Sequence, residues 1–360
     1  MSPPPMPGTQ RRRRAWIVFG LAMAFVGVGA LCWMSGSTPE DIKPVEPAPA
    51  ETAAGSGPPW FRAMTAGSGV EFTYRNGVEA GHLTILESLG GGVALLDYDG
   101  DGLLDIFVMG GGGFDKARTD YPEDPKAYAE ALRKAPPGIL GHPCKLYKNL
   151  GNWKFLDVTK EVGLDVPWFY THGAAVADYD RDGWPDLLVT GYGRLALFHN
   201  EPDGTGGRRF VDVTAKMGLR DTSWSTSAGW ADLDGDGWPD LYVCHYGDWS
   251  FANHPACNAN VLASPLDVCP PQRFTPLVHS LFHNEMGKSF RDVAADQGFK
   301  ATGSGLGVVL ADLNDDGRPD IYVANDGNNK FLFLNRPGGQ TGREGVGGRC
   351  GAGRYRPLHR

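Results

Sequence analysis

The chain has 360 residues, 51 of them glycine, enough aromatic and aliphatic side chains for a packed core, and a formal net charge of −8. This balance excludes nucleic acid as a partner, because phosphate binding needs a basic face and none is visible beyond the first residues and the very end. The glycine content points to short strands and tight turns rather than long helices, and the length allows one large domain or two ordinary ones.

The first 14 residues are basic, with Arg11 to Arg14 abutting an uncharged apolar run from Ala15 to Met34. Twenty residues at 1.5 Å each span about 30 Å, the thickness of a bilayer core, so 15–34 is expected to be a transmembrane anchor. The arginines keep 1–14 cytoplasmic and send the rest outward. The alternative is a cleaved signal near Ser35–Ser37 and a secreted product. A lipoprotein site at Cys32 is excluded by Leu31, where a small residue is required. Residues 35–59 lack apolar mass and are expected to form a disordered tether.

From residue 60 to 336 the chain repeats itself. ALLDYDGDGLLDIFV (94–108), AVADYDRDGWPDLLV (175–189), GWADLDGDGWPDLYV (229–243) and VLADLNDDGRPDIYV (309–323) each place an acidic loop between two apolar stretches, the second alternating with period two. Small residues before the loops suit a crowded innermost strand. LxxN elements follow at 146–149, 197–200, 281–284 and 332–335, each ending in an asparagine expected to turn the chain. FxDV elements follow the first three, starting at Phe155, Phe210 and Phe290. About four strands per repeat is the content of a β-propeller blade, so the expected fold is all-β, with four recognisable repeats and a ring that is either complete or not.

The distance from the first loop Asp to the LxxN Asn is 52 residues in repeats one and three but 22 and 23 in repeats two and four. Two insertions, near 110–144 and 245–279, are therefore expected on one face of the molecule. Phe61–Thr65 resembles the FxDVT strand that repeat four lacks, and is a candidate to close the ring. The closing residues 337–360 are Gly/Arg-rich without strand periodicity and are expected to be disordered.

Each loop offers oxygens at positions 1, 3, 5 and 9: Asp97, Asp99, Asp101 and Asp105; Asp178, Asp180, Asp182 and Asp186; Asp232, Asp234, Asp236 and Asp240; Asp312, Asn314, Asp316 and Asp320. Glycine holds position 6, and the carbonyls of Leu103, Trp184, Trp238 and Arg318 are available at position 7. Hard oxygens on a flexible loop suit Ca2+, about one per repeat, better than the stricter Mg2+. An EF-hand is excluded, because position 12 is valine in every copy and the flanks are strands.

These loops, together with the LxxN and FxDVT elements, resemble the FG-GAP/VCBS repeats of integrin α-type propellers. The order of elements is similar to that in ASPIC/UnbV-type proteins. The resemblance covers about residues 60–336 and implies calcium in the loops and an adhesion or binding role, without catalytic residues. Such proteins usually continue into further repeats and a C-terminal module, so the chain is expected either to be a truncated or frame-shifted reading or to close as four blades.

The aromatic residues Trp168, Phe169, Tyr170, Trp224, Tyr246, Trp249 and Phe251 fall on connections opposite the loops. They are expected either to form a protein- or glycan-binding face or to pack beneath the insertions. Cys257 and Cys269 are expected to form a disulfide in the exported domain, and Cys244 to be plain core. No CxxC, GxSxG or HExxH occurs, and the chain is expected not to be an enzyme. A quinoprotein- or glycosidase-like propeller is the rival reading, with His172, His199 and His283 as the histidines that invite it.

Overall fold

The computed structural model describes residues 60–118, 124–258, 266–327 and 329–336. The chain divides into two units, 1–62 and 63–360, and all the sheets lie in the second. The expected anchor 15–34, tether 35–59 and tail 337–360 lie outside the described residues. Among the described residues no helix is long and apolar enough to cross a membrane.

In chain order the elements are β1 (Val93–Leu96), β2 (Asp105–Val108), β3 (Gly112–Phe114), α1 (Pro125–Lys134), β4 (Ile139–Gly141), β5 (Lys145–Asn149), β6 (Phe155–Asp157), β7 (Thr171–Ala177), β8 (Asp186–Gly191), β9 (Arg194–Pro202) and β10 (Arg208–Asp212). There follow β11 (Ser225–Ala231), β12 (Asp240–His245), β13 (Leu277–Val278), β14 (Ser280–Asn284), β15 (Phe290–Asp292), β16 (Thr302–Gly303), β17 (Gly305–Ala311), β18 (Asp320–Asn325) and β19 (Phe331–Phe333).

They form an all-β propeller of four blades: β1-β2-β5-β6, β7-β8-β9-β10, β11-β12-β14-β15 and β17-β18-β19, each an antiparallel meander. The acidic loop joins the first two strands of every blade, as the repeat pattern requires. The innermost strands β1, β7, β11 and β17 lie side by side in that order. Their small residues are explained by this approach, since a Cβ on Gly173 of β7 would stand 2.6 Å from the carbonyl oxygen of Thr226 on β11.

Three of the four apolar cores lie between successive blades. One gathers Phe107, Leu146, Leu187 and Phe198, the next Leu188, Leu197, Leu241 and Phe282, and the third Tyr242, Leu281, Ile321 and Val323. Burial of such faces, at ~25 cal/mol per Å2, is what holds blade to blade.

The fourth core lies under the two insertions. The first insertion contains the small sheet β3-β4 and helix α1. Asp124 starts that helix, its Oδ1 accepting from the amides of Lys126 and Ala127, with Pro125 in the first turn. The second insertion carries the Cys257–Cys269 disulfide, with a Cα separation of 5.4 Å. The insertions meet where Arg133 Nη1 donates to the carbonyl of His254 at 2.7 Å.

Tyr170, Trp224, Tyr246, Trp249 and Phe251 are buried in this core with Tyr128, Leu132, Ile85 and Leu86. Trp168 and Phe169 are half-buried against the core between blades one and two. Of the two readings open for the aromatics, packing beneath the insertions is the one observed for Tyr170, Trp224, Tyr246, Trp249 and Phe251, while Trp168 and Phe169 stay partly exposed at the junction of blades one and two. Those five rings are buried, so they present no exposed face.

The closing strand requires correction. Phe61–Thr65 is not in a strand, Phe61 is 89% exposed, and the fourth sheet has three strands among the described residues. The likeness to FxDVT has its source a few residues on. The amide of Phe155 donates to the carbonyl of Ser68 at 2.7 Å, as Phe210 does to Val162 and Phe290 to Met217. The segment thus reproduces the turn that follows an FxDVT strand, without the strand.

His172, on β7, accepts a hydrogen bond at Nε2 from Trp224 Nε1 at 2.9 Å, and burial pulls its pKa down to about 4. In the unfolded chain a histidine titrates near 6.5, so between these values the unfolded state binds more protons and stability falls as pH falls. Between pH 6.5 and 4 the wild-type protein is expected to lose about 1.4 kcal/mol per pH unit relative to His172→Gln, which keeps an acceptor but does not ionise. Denaturant unfolding of both proteins across this range checks the slope; parallel pH profiles would contradict it.

Candidate metal sites

The four acidic loops share one internal hydrogen-bond pattern. The first aspartate accepts on Oδ2 from the amide of the position-six glycine at 2.9 Å in loops one to three and 2.7 Å in loop four. Those glycines, Gly102, Gly183, Gly237 and Gly317, have φ between +83° and +94°, the left-handed region that glycine enters without penalty. The position-five aspartate accepts from the amide of residue seven, at 2.9–3.1 Å. Position four is left-handed as well, including Arg181 and Asp315 at φ +58° and +60°. That feature had no signature in the sequence, because position four is glycine in only two of the loops.

The ninth residue does more than face a cation. Asp105, Asp186, Asp240 and Asp320 are buried. In each, Oδ2 accepts from the amide of loop residue two (Tyr98, Tyr179, Leu233, Leu313) at 3.1–3.2 Å. In each, Oδ1 accepts from the amide of the LxxN asparagine (Asn149, Asn200, Asn284, Asn335) at 2.7–2.9 Å. The carboxylate therefore pins its own loop to the third strand of its blade. The asparagine, read from sequence as a turn residue, reaches further: Asn200 Nδ2 donates to Tyr98 O of the preceding blade at 2.9 Å, and Asn284 to Tyr179 O at 2.8 Å.

Carboxylate oxygens converge in the first three loops. Asp97, Asp99 and Asp101, then Asp178, Asp180 and Asp186, then Asp232, Asp234 and Asp236 each bring ligand atoms within 4.8 Å of one another. Loop four, with Asn314 at position three, forms no such group among the described residues. Two acidic oxygens of these clusters, Asp99 Oδ1 and Asp180 Oδ1, are buried without a hydrogen-bond partner. Burial also raises the carboxyl of Asp105 to about 6 and raises those of Asp180, Asp186 and Asp240. Orphaned hard oxygens and desolvated carboxylates are what a divalent cation relieves, so the residues fit Ca2+.

What the four copies do not share is the residue before the asparagine. In loop one it is Lys148, whose ammonium pairs with Asp99 and lies 3.0 Å from Asp101 Oδ2. The Lys148 hydrogen bond holds the Asp101 carboxyl below its ordinary value. In loops two and three it is His199, 3.0 Å from Asp186 Oδ1, and His283, 3.1 Å from Asp240 Oδ1. Each also stands near the third position, at 3.6 Å from Asp180 and 3.4 Å from Asp234. In loop four the position is Leu334, and Arg318 at position seven pairs with Asp316 instead. Two fixed positive charges thus compete for loops one and four. At an effective dielectric of ~20, a divalent ion 4 Å from an ammonium is opposed by roughly 8 kcal/mol.

Residues 178–243, from loop two to the end of the alternating stretch after loop three, match the model of the FG-GAP-like repeat. The chain is 24% identical over 182 residues to cartilage acidic protein 1 of Mus musculus, a match covering 51% of this chain and 25% of that protein. The chain thus spans about a quarter of the length of this curated relative. Among solved structures, an Agrocybe aegerita lectin described as recognising non-reducing terminal N-acetylglucosamine is 19% identical, with 69% of this chain and 49% of that chain covered, at a TM-score of 0.33. A likeness of that extent bears on neither fold nor ligand. The matched residues carry loops two and three, and loops one and four repeat the hydrogen-bond pattern of those two.

Calcium titration calorimetry of the full-length protein is expected to resolve two tighter sites, loops two and three, and weaker binding at loops one and four. Lys148→Met is expected to strengthen loop one at least tenfold while leaving the melting temperature in chelator within a few degrees. Four equivalent sites, or no response to Lys148→Met, would contradict this ranking.

Proposed function

We propose that the protein is a membrane-anchored, extracytoplasmic calcium-binding propeller that works by adhesion, holding a protein or glycan ligand. The observation that carries this reading is the set of FG-GAP-like loops with converging carboxylates, two of which bear buried oxygens that lack partners. Asp97, Asp99 and Asp101 with Asp105, and their counterparts in the other loops, would hold the ions. Calcium there offsets repulsion within each hairpin and stiffens the connection between the first two strands. Its part is structural, keeping one face of the propeller in a single shape for a ligand.

The histidines that invite an enzymatic reading have other work. His172 is buried against Trp224, and His199 and His283 stand at the acidic loops. A further buried group, Asp221 with His245 and Ser280, ties the segment before β11 to β12 and β14, with His245 Nε2 2.9 Å from Asp221 Oδ2. Burial would raise the Asp221 carboxyl, but the hydrogen bond and charge of His245 outweigh it and hold the group well below the usual carboxylate range.

The anchored protein displayed on cells or in vesicles is expected to bind at least one member of an array of extracellular matrix proteins and glycans. That binding should fall at least tenfold in chelator and in the Asp180→Ala/Asp234→Ala double variant. Binding indifferent to both, or turnover of a sugar or alcohol substrate, would overturn the reading.

A further inference from the structure

The acidic loops are wired to one another. Asp105 Oδ2 accepts from the amide of Tyr98, Tyr98 O accepts from Asn200 Nδ2, and the amide of Asn200 donates to Asp186 Oδ1. A continuous hydrogen-bonded path thus joins the ninth position of loop one to that of loop two. The same path runs from Asp186 through Tyr179 and Asn284 to Asp240. It runs again from Asp240 through Leu233 and Asn335 to Asp320.

A second contact is confined to the first two junctions, where the side chain at position seven of one loop lies on the loop before it. The ring of Trp184 covers position four of loop one, where a Cβ on Gly100 would stand 3.0 Å from it. The ring of Trp238 in loop three faces position four of loop two, with the Arg181 guanidinium 5.4 Å from the ring centre. It also shares Gly287 with position three, since a Cβ on that glycine would meet both Trp238 and the Cα of Asp180 at 2.9 Å. At the third junction position seven is Arg318, which turns back onto Asp316 of its own loop and the carbonyl of Asn335.

We infer that calcium binding at loops two and three is positively coupled, and that the ring of Trp238 carries the coupling. This rests on the reading of the loops as calcium sites and adds how two of them act together. Trp238 offers its carbonyl to loop three while its ring rests against residues three and four of loop two. An ion in loop three fixes the backbone at Trp238 and with it the ring. The ring in turn holds Arg181, which stands in the left-handed region at φ +58°, a conformation costly for a residue with a Cβ. It also steadies Asp180, which carries one of the buried oxygens without a partner. With loop three filled, loop two is already ordered, so its ion meets a smaller entropic cost. Linkage makes the effect mutual.

Calcium calorimetry on full-length chains in detergent tests this. Asp180→Ala leaves loop three as the tight site, and Asp234→Ala leaves loop two. The product of those two association constants is what independent sites would give. The wild-type protein is expected to exceed that product at least about fivefold. The excess is expected to shrink below about twofold when all three chains also carry Trp238→Ala, whatever that change does to either site alone. Arg181→Gly, which gives loop two the glycine that loops one and three have at position four, is expected to reduce it as well. A wild-type constant equal to the product, or an excess that survives Trp238→Ala, would overturn the coupling and leave the calcium reading intact. No calcium binding in any of the chains would overturn both.

Discussion

The structure depends on a buried carboxylate at the ninth position of each acidic loop. A carboxylate removed from water is costly unless its lone pairs are used, and here both oxygens accept backbone amides from two directions. One amide belongs to the loop and the other to the third strand, so a single side chain fixes the hairpin and the next meander turn together. Because the third-strand partner is an asparagine whose amide crosses to the preceding blade, the same point also sets blade against blade. The apolar cores supply most of the free energy between blades. The Asp–Asn clasp gives them register.

This arrangement separates two demands that the loop sequence merges. Positions one and five order the backbone through amides of the loop itself, and position three is left with oxygens that find no donor in two of the copies. The cation site is thus built from groups the fold has not used up. The copies then diverge through one neighbouring residue: a lysine, two histidines and a leucine stand at equivalent points, giving four loops of one backbone different electrostatic surroundings.

The blades were legible because a propeller repeats: an acidic loop, an LxxN element and an FxDV element in fixed order leave little freedom in strand pairing. The insertions were legible from spacing, and the disulfide from two cysteines flanking one loop of a domain expected to be exported. Less was legible where a residue acts across distance in the chain. Nothing local to Asn200 reveals that its side chain serves Tyr98, about a hundred positions earlier. Trp224 and Trp249 read equally well as a bare surface or a covered core, since composition does not say where an insertion folds back. Phe61 matched a strand pattern whose turn, at Ser68, was the part the fold retained. Lys148 and Arg318 were visible as residues, but their reach into the loops depends on side-chain direction.

The most direct measurement compares Asp240→Asn with Asp236→Asn in the full-length protein, by denaturant unfolding in chelator, where no cation contributes. Both changes remove one charge from the same loop. The ninth-position variant turns one accepting oxygen into a donor facing a buried amide, and is expected to cost about 3 kcal/mol. The fifth-position variant, on the exposed side of the loop, is expected to cost under about 1 kcal/mol. Equal losses, or an Asp240→Asn protein as stable as wild type, would contradict the central role of the buried carboxylate.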